Sequence, residues 1–277
     1  MYRFTHVTVL HLVIFCCACF ATVFAQDMTQ TIPVTPPPTR RIEPPPQGAS
    51  ADDLEQQGDE LRSEKAYLDA IDYYRAAIRV LKDDKRKQST VFNKLGMCEV
   101  QMGHYEEAKR TFEKAAKLDK ANANAINNAG SMFYHEKKWG RAIKLYRRAI
   151  ALAPDNAPYH ANLGSAYLAH KEIERGDAEY QAALQLDPNV FESRSNVGVS
   201  ALMTPEDRAK YSYTLAKMYA KDGQMDRALL YLRRAMEEGY KEINNVYQDQ
   251  EFANLRKDER FVALMAQPPV AITGREP

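Results

Sequence analysis

Residues 123–156, ANAINNAGSMFYHEKKWGRAIKLYRRAIALAPDN, decide the fold. Apolar and small residues recur at helical spacing from Ala123 to Lys137 and again from Trp139 to Leu152, which predicts two amphipathic helices joined by a short turn. Gly130, Ala142 and Ala149 would let the helix backbones approach closely, and Tyr146 would fill the space left between successive units. Pro154 ends the second helix, because a residue without an amide proton cannot continue the hydrogen-bond ladder.

The pattern extends outward in both directions. Glycines stand at Gly58, Gly96, Gly130, Gly164 and Gly198, with spacings of 38, 34, 34 and 34. A fixed period in this range marks a solenoid of stacked helix pairs. The supporting residues keep phase: Ala70, Ala108 and Ala142 follow their glycines by twelve, and Tyr74, Phe112, Tyr146 and Tyr180 by sixteen. Ala77, Ala115, Ala149 and Ala183 follow by nineteen, Pro154 and Pro188 by twenty-four. The four extra residues of the first spacing fall in the charged run Lys82 to Lys87, expected to be a solvated loop between units. After Gly198 the rhythm breaks, since Thr204-Pro-Glu-Asp207 is a helix start. An orphan helix is therefore expected near 191–202, then a degenerate pair from about Thr204 to Glu238 with Ala216 in the glycine's place. Beyond Tyr240, Phe252, Leu255, Phe261 and Leu264 lie at helical spacings and predict a capping helix that covers the last unit.

Asn162-Leu-Gly-Ser-Ala-Tyr167 and its in-phase partners closely resemble the tetratricopeptide repeat, whose pattern runs aromatic or Leu, Leu-Gly, Tyr, Ala, Phe, Ala and Pro. The resemblance covers roughly residues 51–242: four full repeats, the orphan helix and the degenerate pair, with a cap at 243–266. It implies an all-α, right-handed superhelical solenoid of antiparallel helix pairs whose first helices line a concave groove. Three departures stand out. Gly176 replaces an expected Ala, while Glu99 and Ala201 replace the aromatic three residues after the glycine and predict looser packing.

At the N-terminal end, the apolar run Val7–Ala25 with Arg3 ahead of it reads as a signal peptide over residues 1–25, cleaved before Gln26. Its 19 residues also approach the roughly 20 that span a bilayer, so an uncleaved anchor is the alternative. Residues 26–50 are proline-rich, with seven prolines between Ile32 and Gly48, and predict a disordered, extended linker. The tail 267–277 is expected to be disordered. The reading is an exported protein, periplasmic or secreted, or else held in a membrane through residues 7–25. Cys16, Cys17 and Cys19 lie in the apolar run, which leaves Cys98 alone and without an internal disulfide partner.

Composition narrows the chemistry. With 38 basic and 37 acidic residues in 277, the formal charge is +1, which gives no long-range field for nucleic acid. The six histidines make no metal pattern, and His160, four before Gly164, reads as structural. Phosphate loops, nucleophile elbows and dinucleotide fingerprints are missing, so neither catalysis nor a cofactor is expected. The candidate site is a row of amides. Asn128, Asn162 and Asn196 each stand two before a glycine, with Asn93 beside Lys94 in the second unit. The resemblance places these residues in the groove, where a carboxamide can hold an extended peptide backbone through both its donor and its acceptor, or else bond a neighbouring helix. The first unit's Asp52, Glu55 and Asp59 would repel a carboxylate. The function expected is a non-enzymatic scaffold binding a protein or peptide. The alternatives are a self-assembling envelope component or a regulatory subunit of an enzyme.

Overall fold

The computed structural model describes residues 44–191 and 203–271. Four helix pairs follow one another: α1 (Ala51–Ser63) with α2 (Tyr67–Val80), α3 (Lys85–Gln101) with α4 (Tyr105–Leu118), α5 (Ala123–His135) with α6 (Trp139–Leu152), and α7 (Ala157–Ala169) with α8 (Ile173–Leu186). A further pair, α9 (Pro205–Lys221) and α10 (Met225–Glu237), precedes three 3₁₀ turns and α11 (Glu259–Ala266). From α1 to α8 each helix packs against the one before and the one after, as a solenoid requires. Strands are absent among the described residues, and none of their helices is long and apolar enough to cross a membrane. Residues 1–43, read above as a signal and most of a linker, residues 192–202, which carry Asn196, Ala201 and most of the expected orphan helix, and residues 272–277 lie outside the described residues.

Each pair closes on its glycine. Tyr74, Phe112, Tyr146 and Tyr180 are fully buried, and their rings lie so close over Gly58, Gly96, Gly130 and Gly164 that an added Cβ would fall 2.7, 2.7, 2.8 and 2.3 Å from a ring carbon. The residue after the glycine matches the ring. Tyr74 donates to Asp59 (2.8 Å), Tyr146 donates to Ser131 (3.0 Å), and Tyr180 shares a hydrogen bond with Ser165 (2.9 Å). Phe112, with no hydroxyl, has Met97 at that phase. The turn inside each pair carries one left-handed residue seven after the glycine position: Lys65, Gly103, Lys137, Lys171 and Gly223, with φ between 58° and 75°.

Local chemistry sets the helix starts. Ser50, Asp84, Asn122 and Thr204 accept hydrogen bonds from the backbone of Asp53, Lys87, Ala125 and Asp207, while Pro158 and Pro205 occupy first turns. The Asp84 cap corrects one expectation: only residues 82–84 of the charged run lie in the loop, because α3 already begins at Lys85. Gly176 brings α8 close to α7, with its Cα side covered by Leu168 and the Gly164 carbonyl. Glu99 does not loosen its unit. It is 3% exposed, with Arg75 at 3.8 Å, and its Oε2 has no hydrogen-bond partner among the described residues. Burial pushes its carboxyl up, and Thr111 and Arg75 offset only part of this. The neighbouring Cys98 is fully buried, which pushes its thiol up to about 12.

The cap is also built differently from the single helix expected. Phe252 closes the turn Gln250–Phe252, Leu255 opens Leu255–Lys257, and Phe261 and Leu264 lie on α11. All four are buried against Tyr213, Leu215, Leu232 and Met236 of the last pair. Polar ties fix it there: Tyr213 donates to Asp249 (2.9 Å), Lys217 reaches Asp249 and Glu251 (3.2 and 3.3 Å), and Arg260 pairs with Asp226 (2.5 Å).

Candidate functional site: the amide-lined groove

The first helices α3, α5 and α7 lie side by side, and the faces they turn away from their partners line a groove of about 560 Å³. Asn93, Asn128 and Asn162 line it, together with Asn124, Asn127 and Tyr159. Asn128 and Asn162 are only 9% and 6% exposed. Their amides bond across the units. Asn128 Nδ2 donates to Asn93 Oδ1 (2.9 Å), Asn162 Nδ2 donates to Asn127 Oδ1 (3.0 Å), and Asn127 Nδ2 donates to Asn128 Oδ1 (3.2 Å). The four carboxamides thus form one chain along the groove floor.

The geometry explains what the period missed. Residues 34 apart are equivalent but do not meet; the contacts run diagonally, over 35 residues, from two before one glycine to three before the last. Tyr159 follows the same offset, donating to Asn124 Oδ1 at 2.7 Å. Lys94 to Glu55 is the same rung at the first junction, 39 residues apart across the 38-residue spacing, and is an ion pair of 2.5 Å. A search at one residue more than the period would have found Asn127, Asn124 and Tyr159.

At the N-terminal end the acidic helix is compensated, which corrects the expectation of a bare acidic face. Asp52 pairs with Lys87 (2.8 Å), and Lys94 also meets Asp59 at 2.5 Å. Burial would raise the Asp59 carboxyl, but bonds from Lys94 and Tyr74 hold it below its usual value. At the other end His160 bridges α7 and α8, with Nδ1 at 2.7 Å from Glu179 and Nε2 at 2.9 Å from the Pro154 carbonyl. Among the described residues no group of His, Cys, Asp and Glu could hold a metal ion. The middle of the groove offers amide donors and acceptors over a packed floor, with Thr90 and Asn124 exposed at its edge; Arg62, Lys94 and Asp187 also line it.

Three models of the tetratricopeptide repeat match residues 93–157, 133–194 and 213–246. No curated protein matches the chain. Among solved structures, TTC0263, a thermophilic tetratricopeptide-repeat protein of Thermus thermophilus, is 16% identical over 78% of this chain and 100% of its own, with a TM-score of 0.49. MamA from Desulfovibrio magneticus RS-1 is 22% identical over 70% and 97%, with a TM-score of 0.48. YrrB, described as having an unusual peptide-binding site, is 18% identical over 76% and 93%, with a TM-score of 0.46.

Proposed function

Because the chain belongs to the tetratricopeptide repeat family, whose members are generally non-enzymatic scaffolds for protein interaction, we propose that its groove holds an extended peptide segment of a protein partner. The observation that carries the reading is the amide-lined cavity of about 560 Å³ along three successive first helices. A carboxamide carries two donors and two acceptor sites. The Asn127 and Asn128 amides spend one donor and one acceptor on the chain, and the rest of each is available to a peptide backbone whatever its side chains. The edge residues Thr90 and Asn124 extend this capacity. The uncharged amides match an uncharged backbone, and the lining cations Arg62 and Lys94 are engaged by Asp59 and Glu55 at the first junction.

Selection of a displayed random-peptide library on the folded chain tests the reading. Enriched peptides are expected to bind wild type and to lose affinity for the Thr90→Ala/Asn124→Ala variant; Thr90→Ala is exposed and changes stability by only about 0.5 kcal/mol, while Asn124→Ala also leaves the Tyr159 hydroxyl without its acceptor at about 1 kcal/mol, so circular dichroism is used to check that the variant is folded. Peptides that bind both proteins alike would place the site elsewhere. We also propose, from residues 7–25, that the protein is exported. The mass of the chain recovered from outside the cytoplasm checks this: loss of residues 1–25 supports cleavage, and their retention supports the anchor.

A further inference from the structure

A second cavity, of about 260 Å³, opens between the α5–α6 turn, α7, α8 and α9. Trp139, Leu168, Ile173, Met203 and Met218 give it apolar walls. Tyr134 also lines it, its ring 4.9 Å from that of Trp139. This tyrosine is only 5% exposed, and its ring and hydroxyl line the cavity. A phenol at the wall of a cavity can donate to an acceptor brought in by a ligand.

The charges at the mouth are unequal in availability. Lys210, Lys217 and Lys221 share one face of α9 with Thr214, and Lys171 lies opposite on the α7–α8 turn. Lys217 is engaged by Asp249 and Glu251, whereas Lys171, Lys210 and Lys221 have no ion-pair partner among the described residues. The acids at the mouth have partners or face the lysines. Asp207 accepts the Thr204 hydroxyl at 2.7 Å, and its backbone N–H donates to Thr204, the N-cap of α9. Asp177 is half-buried, and burial pushes its carboxyl up against the partial relief of Lys217 and Lys221. An apolar wall, a buried phenol and unpaired ammonium groups fit one kind of ligand: an apolar group that carries a carboxylate. The cavity shares Ser165 and Tyr211 with the groove, so a segment lying there can turn a side chain into it.

We propose that this cavity receives a large apolar side chain and, beside it, the carboxylate of an acidic residue, both carried by the segment held in the groove. The source of the ligand rests on the groove reading; the ligand chemistry does not. Trp139 is the single tryptophan of the chain, so intrinsic fluorescence reads this cavity directly. In a titration of the full chain, phenylbutyrate should shift the Trp139 emission saturably, and phenylbutanol should bind about tenfold more weakly for want of the charge. Lys210→Ala/Lys221→Ala, at exposed positions, should abolish that preference with helix content unchanged, and Tyr134→Phe should reduce it. Added salt should weaken the carboxylate alone. Equal binding of the two probes, or no shift with either, overturns the proposal. A capped peptide containing Leu-Glu should displace phenylbutyrate, and its Leu-Gln counterpart should compete more weakly. If phenylbutyrate binds and neither peptide displaces it, the groove segment is overturned as the source. If both peptides bind the groove equally without displacing the probe, the groove reading survives and this proposal fails.

Discussion

Glu99 puts a carboxyl at the phase where the other units bury Leu61, Phe133 and Tyr167. The unfolded chain releases that proton near the ordinary value of 4.5, while burial makes the folded chain hold it to higher pH. Between the two values the folded state binds more protons, so stability falls as pH rises through the window. Glu99→Gln should remove this slope and raise stability above the window by about 1 kcal/mol or more, as denaturant melts at several pH values would show. Gly176 makes a second residue-scale case. Restoring the Ala that the repeat pattern expects adds helix propensity of about 1 kcal/mol, yet its Cβ would sit 2.6 Å from Leu168 Cγ and 3.1 Å from the Gly164 carbonyl. Overpacking of this kind costs about 1–3 kcal/mol, so Gly176→Ala should lower the melting temperature. The amide chain gives a third. Asn162→Ala strands Asn127 Oδ1 and should cost about 1–3 kcal/mol, whereas Thr90→Ala at the exposed edge should be nearly silent. Neither the depth of these amides nor their diagonal partners could be read from a 34-residue ruler, because equivalence and contact differ by one position.

The helices themselves were legible because stacking enforces the period: a glycine under each ring leaves no freedom to shift the pairs. The exceptions have physical causes. Asp84 looks like part of a charged run until its carboxylate is seen capping α3. The spacing of Phe252 and Leu255 fits a helix as well as two consecutive 3₁₀ turns, so pattern alone could not separate them. The turns within pairs carry their own prediction. Lys65, Lys137 and Lys171 adopt left-handed backbone where two sister turns use Gly103 and Gly223. Each Lys→Gly change should relieve the Cβ crowding and stabilise by up to about 1 kcal/mol, which differential scanning calorimetry would register as a higher melting temperature.

Contacts between neighbours hold the whole molecule together, so damage should stay local. Removal of residues 241–277 uncovers Tyr213 and Leu232 and should melt the last pair early, while α1 to α6 keep their transition; two separated steps in circular dichroism are expected. A single transition at the unchanged temperature would mean that the segment is no cap. The same linear order gives Cys98 a use in the time domain. Its sulfur is sealed on α3 against the first pair, in the cluster formed with Leu61 and Tyr74. A thiol reagent can reach it only when the first junction breathes, so the labelling rate of a chain with Cys16, Cys17 and Cys19 changed to Ser counts those openings one molecule at a time. The protein therefore carries its own clock for how often one end of the array comes undone.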